Sequence, residues 1–331
     1  MSAAGIADEV ILDVRDLRVG FKVTAGRLPA VDGVDLTLRR GETLALVGES
    51  GSGKSALAMA LVGLNRGART EITGTVDFHG ENLVTASESR LRSVRGARIA
   101  VVFQDALAAL NPLQRVGGQV VEMIRTHYPT TREEARRQTV RLFGDVGIAS
   151  PERGARSYPH ELSGGMRQRV MIALGLANNP EILIADEPTT ALDVTIQAQV
   201  LAVLRDMQRD HGTSIILITH DLGVVSDVAD RIAVMYAGRV AETGTRDQVL
   251  FHPRHPYTKG LLASVPSLTG PVTGRLPAIP GTALTGVDRP AGCAFAPRCD
   301  QVRAACSGPV QLLRRGQEAG HLDACVAGGE S

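Results

Sequence analysis

Tryptophan is absent from this chain, and aromatic residues make up only 3% of it, thin provision for a surface that stacks the bases of single-stranded nucleic acid. A charge excess is missing too. The 36 Lys and Arg face 35 Asp and Glu, a formal net charge of +1, so no global field favours nucleic acid or an anionic membrane. No stretch reaches the roughly eighteen uninterrupted apolar residues of a membrane span, and the opening MSAAGIADEV lacks the basic and apolar regions of a secretory signal. The expectation is a cytoplasmic protein without a transmembrane segment of its own. Cysteine is missing until Cys293, and all four thiols lie between it and Cys325, which argues for local chemistry there rather than a disulfide-stapled fold. At 331 residues the chain has room for one large α/β domain and a modest appendage.

What is present is concentrated in motifs. Residues 48–55 read GESGSGKS, a fit to G-x-x-x-x-G-K-[ST], after the buried-strand run TLALV and before the helical ALAMALVGL. In that context Gly48, Gly51 and Gly53 let backbone N–H groups curl around phosphate oxygens, and Glu49, Ser50 and Ser52 complete the loop. Lys54 would reach the β- and γ-phosphates, Ser55 would place a hydroxyl on Mg²⁺, and Ala56 continues the helix. The alternative is a flexible glycine-serine turn before a core helix.

Residues 10–21 and 31–38 carry partial period-2 alternation, predicting half-exposed antiparallel strands ahead of the parallel core. Phe21 ends the first of these, either stacking on a nucleotide base or serving as an ordinary core residue. GTVDFHG and IAVVFQ read as further strands, whereas residues 111–157 show helical spacing, so a helical insertion splits the domain. EILIADE is a buried strand closed by Asp186 and Glu187: one carboxylate can hold Mg²⁺ while its neighbour orients the attacking water, unless the pair is simply surface charge. SIILITH repeats the pattern and ends in His220, a contact for the γ-phosphate or a plain surface histidine. RIAVMYAGRVAETG predicts a strand pair turning at Ala237-Gly238.

LSGGMRQR ahead of ILIADEP resembles the signature of the ATP-binding cassette ATPases, a resemblance running from about Val10 to Phe251. It implies a P-loop NTPase (RecA-like) core with an antiparallel β subdomain and an α-helical insertion at about 104–178. Residues 1–251 would be the nucleotide-binding domain and 252–331 a C-terminal extension. It further implies a Q-loop at Gln104, a signature at Ser163, Gly164 and Gly165, a Walker B pair at Asp186 and Glu187, a D-loop around Asp193 and a switch histidine at His220. Ser55, Gln104 and Asp186 would surround Mg²⁺, Phe21 would stack on adenine, and Glu187, His220 and Gln104 would serve hydrolysis. In this family two cassettes close head to tail around ATP, so the signature would serve a second ATPase subunit, often a different chain.

FQDALAALNPLQRVGG, YPHELSGG and LFHPRHPYTKGLLASVPSL are similar to oligopeptide and dipeptide importers, with Ala106 where these usually carry proline. Two membrane permeases and an extracytoplasmic peptide-binding protein are the implied partners, at the cytoplasmic face of the membrane, with nucleic acid not among them. HPRHPY itself reads as a proline-stiffened linker leaving the domain. Cys293, Cys299, Cys306 and Cys325 also resemble the module that ends these ATPases. Their C-x5-C-x6-C-x18-C spacing leaves open a 4Fe-4S iron–sulfur cluster, zinc, or reduced thiols without a metal. Competing functions are a soluble cassette ATPase on DNA or ribosomes, set back by the single phosphate loop and the lack of heptads, and a regulatory module without turnover. Nickel chelates and glutathione-like molecules are alternative cargoes.

Overall fold

The computed structural model describes residues 9–190, 192, 194–264, 278–284, 286–287, 289–314 and 320–326. In chain order the elements are β1 (Val10–Val23), β2 (Gly26–Arg39), β3 (Thr43–Val47), α1 (Lys54–Leu61), β4 (Thr70–Phe78), β5 (Glu81–Asn82), α2 (Glu88–Val94), β6 (Ile99–Val102) and α3 (Ala106–Ala109). There follow α4 (Val116–His127), α5 (Arg132–Asp145), α6 (Pro151–Gly154), α7 (Gly164–Leu176), β7 (Ile182–Asp186), α8 (Val194–His211) and β8 (Ser214–Ile218). The chain then runs through α9 (Leu222–Val228), β9 (Arg231–Tyr236), β10 (Arg239–Thr245), α10 (Arg246–Phe251), α11 (Pro256–Ala263), β11 (Leu313–Arg314) and β12 (Leu322–Asp323).

These elements form two compact units that interleave along the chain. The first comprises the described residues of 1–11, 38–43 and 85–218. Its parallel strands run β6 to β7 (Ile99 opposite Ile182) and β7 to β8 (Ile182 opposite Ser214, Asp186 opposite Ile218). β7 and β8 are buried at every position, as expected of apolar runs covered on both faces. The expected helical insertion is here: α4 buries Val116, Val120, Val121 and Ile124, one stripe at helical spacing. α5 begins with a capping box in which Thr131 Oγ1 accepts from the Glu134 N–H and the Glu134 carboxylate accepts from the Thr131 N–H.

The second unit comprises the described residues of 12–37, 44–84 and 219–331. It holds the predicted antiparallel layer in the order β2-β1-β4-β5. The alternation along β1 is only partial because a bulge between Arg15 and Arg18, with Asp16 at φ 43°, shifts the register. β3 runs parallel to β9, and β9 returns as β10 through a tight turn with Ala237 at φ 49° and Gly238 at φ 83°. Two central residues at positive φ match the right-handed twist of a hairpin. β10 then pairs with β12, Glu242 opposite Asp323, and β12 with β11.

The linker expected at HPRHPY is overturned. Pro256–Ala263 is a helix whose N-cap is His255, and Tyr257 is completely buried in a core shared with Val47, Tyr236 and Phe295. Proline is tolerated at the first helical position, where its missing N–H has no intrahelical role, so the local prolines that suggested a stiff exit mark a helix start.

Candidate active site

In the second unit, the buried residues Leu44–Val47 of β3 deliver the chain into Gly48–Gly53. Gly48, Gly51 and Gly53 adopt φ of 148°, 79° and 103°, conformations closed to most side chains. Space makes the same demand: a Cβ on Gly48 would sit 2.2 Å from the Met235 carbonyl oxygen, and one on Gly53 2.2 Å from that of Ala30. Lys54 is 5% exposed, and its ammonium donates to the carbonyls of Gly48 at 2.8 Å and Glu49 at 2.9 Å and to Ser52 Oγ at 3.3 Å. The cation is thus held against the loop by two of its carbonyl oxygens and one of its hydroxyls. Ser50 and Ser55 are exposed, Ala56 is half-buried on α1, and Phe21 is half-buried opposite Thr70. His220 is exposed just before Asp221, whose carboxylate caps α9 through the Gly223 and Val224 N–H groups.

In the first unit, Asp186 closes β7 and is 4% exposed. Glu187 follows at φ 47°, a left-handed conformation that costs a non-glycine residue about 1–3 kcal/mol and clusters at functional sites. Its N–H donates to the Ile218 carbonyl at 2.9 Å, while its carboxylate accepts from Gln104 Nε2 at 3.0 Å and Thr190 Oγ1 at 2.7 Å. Gln104 and Glu187, 83 residues apart, are therefore brought together. Ser163 is the exposed N-cap of α7, its Oγ accepting the Met166 N–H at 3.3 Å, with exposed Gly164 next. A Cβ on Gly165 would lie 2.7 Å from Ile196 Cγ2, so this position is closed to larger residues. Asp193 lies outside the described residues.

A phosphate loop of this geometry, a strand-end carboxylate pair and a serine-glycine-glycine helix start make up the machinery of a cassette ATPase, and residues 31–190 match the family model described as ABC transporter. Residues 241–306 match a second one, the oligopeptide/dipeptide transporter, C-terminal region. The chain is 51% identical over 289 residues to the oligopeptide transport ATP-binding protein OppD of Bacillus subtilis, covering 87% of this chain and 81% of that one. It is 47% identical over 310 residues to the dipeptide transport ATP-binding protein DppD of the same organism, covering 92% of each.

The chain belongs to the oligopeptide/dipeptide transport ATPases of the ATP-binding cassette family.

Among solved structures, the ATP-binding cassette MJ0796 in its dimeric post-hydrolysis state with ADP and Pi superimposes with a TM-score of 0.65 at 28% identity, covering 71% of this chain and 98% of that one. As a cassette ATPase the protein binds ATP. Among the described residues no helix is long and apolar enough to cross a membrane.

The peptide-transport ATPase carries its four cysteines as free thiols, with Cys306 and Cys325 buried and Cys293 and Cys299 half-buried against the core. Burial pushes the Cys293 thiol up, with smaller contributions from Cys306 and Cys325, and burial likewise raises Cys299, with smaller contributions from Asp300, Cys293 and Cys325. Cys293 and Cys299 pack against one core cluster, and the Cys293 N–H donates to the Cys306 carbonyl at 2.8 Å. Among the described residues, however, no group of three or more His, Cys, Asp or Glu is assembled to hold a metal ion. The expected iron–sulfur cluster and its zinc alternative find no support in this arrangement, and no catalytic step is assigned to either.

Sequence reasoning missed the residues that brace the phosphate loop from the far end of the chain. Tyr257 Oη accepts the Glu49 N–H at 2.8 Å, and Arg298 bonds the Glu49 carboxylate at 2.6 and 3.0 Å. Tyr257 closes the HPRHPY stretch and Arg298 precedes Cys299, yet nothing local in either segment points to residue 49.

Proposed function

We propose that this chain hydrolyses ATP to drive import of di- or oligopeptides, as one of two cassettes that close around ATP beneath a pair of membrane permeases. An extracytoplasmic binding protein would deliver the cargo, and the chain would sit peripherally at the cytoplasmic face. Residues 1–251 are the nucleotide-binding domain and 252–331 its extension. Phe21 stacks on adenine and the loop from Gly48 to Ala56 receives the phosphates, Lys54 taking the β- and γ-oxygens. The hard oxygens of Ser55, Gln104 and Asp186 suit Mg²⁺, which neutralises phosphate charge when bound. Glu187 orients and polarises the attacking water, and His220 contacts the γ-phosphate.

Ser163, Gly164 and Gly165 serve the partner cassette, because the start of the 13-residue α7 presents N–H groups and a positive dipole end to an anion; Asp193 belongs to the same face. Removing the γ-phosphate removes a ligand that both faces share, which releases the pair.

The observation that carries turnover is the Glu187 carboxylate, held in a strained backbone by Gln104 and Thr190. Glu187→Gln should keep ATP binding and lower steady-state hydrolysis by roughly 10²–10⁴-fold, the span of general acid–base assistance; hydrolysis at the wild-type rate would refute the assignment. Peptide cargo is supported by the match over residues 241–306, which also weighs against a soluble ATPase on nucleic acid or ribosomes. For the tail, a 4Fe-4S cluster or zinc on Cys293, Cys299, Cys306 and Cys325 rests on the four-cysteine pattern of the sequence and lies outside the hydrolytic machinery.

A further inference from the structure

The phosphate loop is gripped through its second residue by the C-terminal part of the chain. Tyr257 and Arg298 stand 208 and 249 residues from Glu49, yet one accepts its backbone N–H and the other binds both its carboxylate oxygens. Neither brace is a loose surface contact. Tyr257 is completely buried and Arg298 is 9% exposed. The guanidinium donates from Nε to the Pro280 carbonyl at 2.7 Å, from Nη2 to the Ile279 carbonyl at 3.3 Å and from Nη1 to Tyr236 Oη at 3.4 Å. It lies 5.8 Å from the Tyr236 ring centre and 5.9 Å from that of Phe295. Tyr236, Tyr257 and Phe295 in turn pack with ring centres 4.6–5.3 Å apart. In a chain with ten Phe and Tyr in all, three are spent on this clamp.

Such a planar fork, bonded on several sides, offers one geometry to the carboxylate it holds. The electrostatics have a direction as well. Glu49 places a negative charge inside a loop that must receive a polyanion, and the Arg298 guanidinium compensates it at contact distance. Without Arg298 the carboxylate would both repel the triphosphate and lose the restraint on its loop.

We infer that Arg298 and Tyr257 are positioning residues of the phosphate loop, through which the C-terminal segment sets the affinity for ATP by way of Glu49. The inference rests on the reading of Gly48–Ser55 as the triphosphate loop. Since Arg298 precedes Cys299, the cysteine-bearing segment is mechanically joined to the nucleotide loop by one residue step.

The test is the Kd of the full chain for Mg-ATP, by titration with a fluorescent ATP analogue and competition with ATP, alongside the melting temperature. Arg298→Gln should raise the Kd by about fivefold or more, the lower end of ordinary inter-site coupling. Adding Glu49→Gln to that variant should restore most of the loss, because the uncompensated charge is then gone. An unchanged Kd in Arg298→Gln, or a loss that Glu49→Gln leaves in place, overturns the inference and reduces the ion pair to a staple, visible only as a lower melting temperature. If Arg298→Gln does not fold, Tyr257→Phe decides, since it deletes one hydroxyl: a Kd raised about twofold or more supports the inference, and an unchanged Kd overturns it. Lys54→Ala separates the two layers. If it binds ATP like the wild type, the loop reading itself fails; if it loses ATP while Arg298→Gln does not, only the inference fails.

Discussion

Glu242 on β10 is the most consequential carboxylate outside the nucleotide machinery, and replacing it with alanine gives a sharp test of how the C-terminal segment is held. The side chain is completely buried. Its Oε1 accepts the Arg254 N–H at 2.8 Å and lies 2.8 Å from Nε2 of the equally buried His321, while Oε2 accepts the His255 N–H at 3.0 Å. One carboxylate thus secures the approach to α11 and the residue that leads into β12. Arg254 completes the arrangement by donating from Nη1 to the His321 carbonyl at 3.1 Å.

Glu242→Ala leaves two backbone N–H groups and an imidazole without that acceptor. A buried orphan costs about 1–3 kcal/mol, so with three partners orphaned the expected loss is about 3–9 kcal/mol. A domain is stable by only about 5–15 kcal/mol. With about 2–4 °C of melting temperature per kcal/mol in mid-sized domains, even the lower figure predicts a fall of roughly 6–12 °C. Glu242→Gln, which keeps one acceptor oxygen, should fall between. Thermal unfolding by circular dichroism measures the loss, and limited trypsin digestion should show faster cleavage after Arg254 in Glu242→Ala. A melting temperature within about 2 °C of wild type, with unchanged cleavage, would refute the claim that this carboxylate secures the segment.

Two further outcomes are expected. Burial lowers His255 to about 4 from its ordinary 6.5, so the unfolded chain binds more protons between those values and stability falls as pH drops through that window, by about 3 kcal/mol in full. Because its Nδ1 accepts the Tyr257 N–H at 3.1 Å, His255→Asn should keep the cap while flattening this part of the pH–stability curve between about 6.5 and about 4. At the tail, anaerobic purification followed by an absorption spectrum and metal assays decides the metal proposal: about four irons per chain with a brown chromophore supports the cluster, stoichiometric zinc supports the alternative, and a colourless, metal-free protein removes both.

The phosphate loop was readable because its chemistry is local. Three glycines within six residues are needed where φ reaches 148°, 79° and 103°, and a lysine one step on is near the phosphates in any such loop. The strand before Asp186 was readable for a similar reason, since a run buried on both faces must be apolar throughout. Gln104, by contrast, had only its place in the motif order, and its bond to Glu187 is a fact of the fold. HPRHPY was misread because proline's local message is the same at a helix start and in a linker; burial of Tyr257 is what distinguishes them. Glu242 carries no local mark at all, as a glutamate in RVAETG looks like any strand-edge charge.

The sequence by itself determined that this protein binds a nucleoside triphosphate, that it belongs with the cassette ATPases, and that its cysteines gather at one end. Those conclusions rest on backbone geometry and spacing encoded within a few residues of one another. Only the tertiary structure decided that Glu49 answers to Tyr257 and Arg298, and that Glu242 holds His321. Contacts across 79 to 249 residues depend on which buried surfaces meet when long loops close. Once met, the low dielectric makes each polar partner obligatory, a requirement that no short window of residues can express.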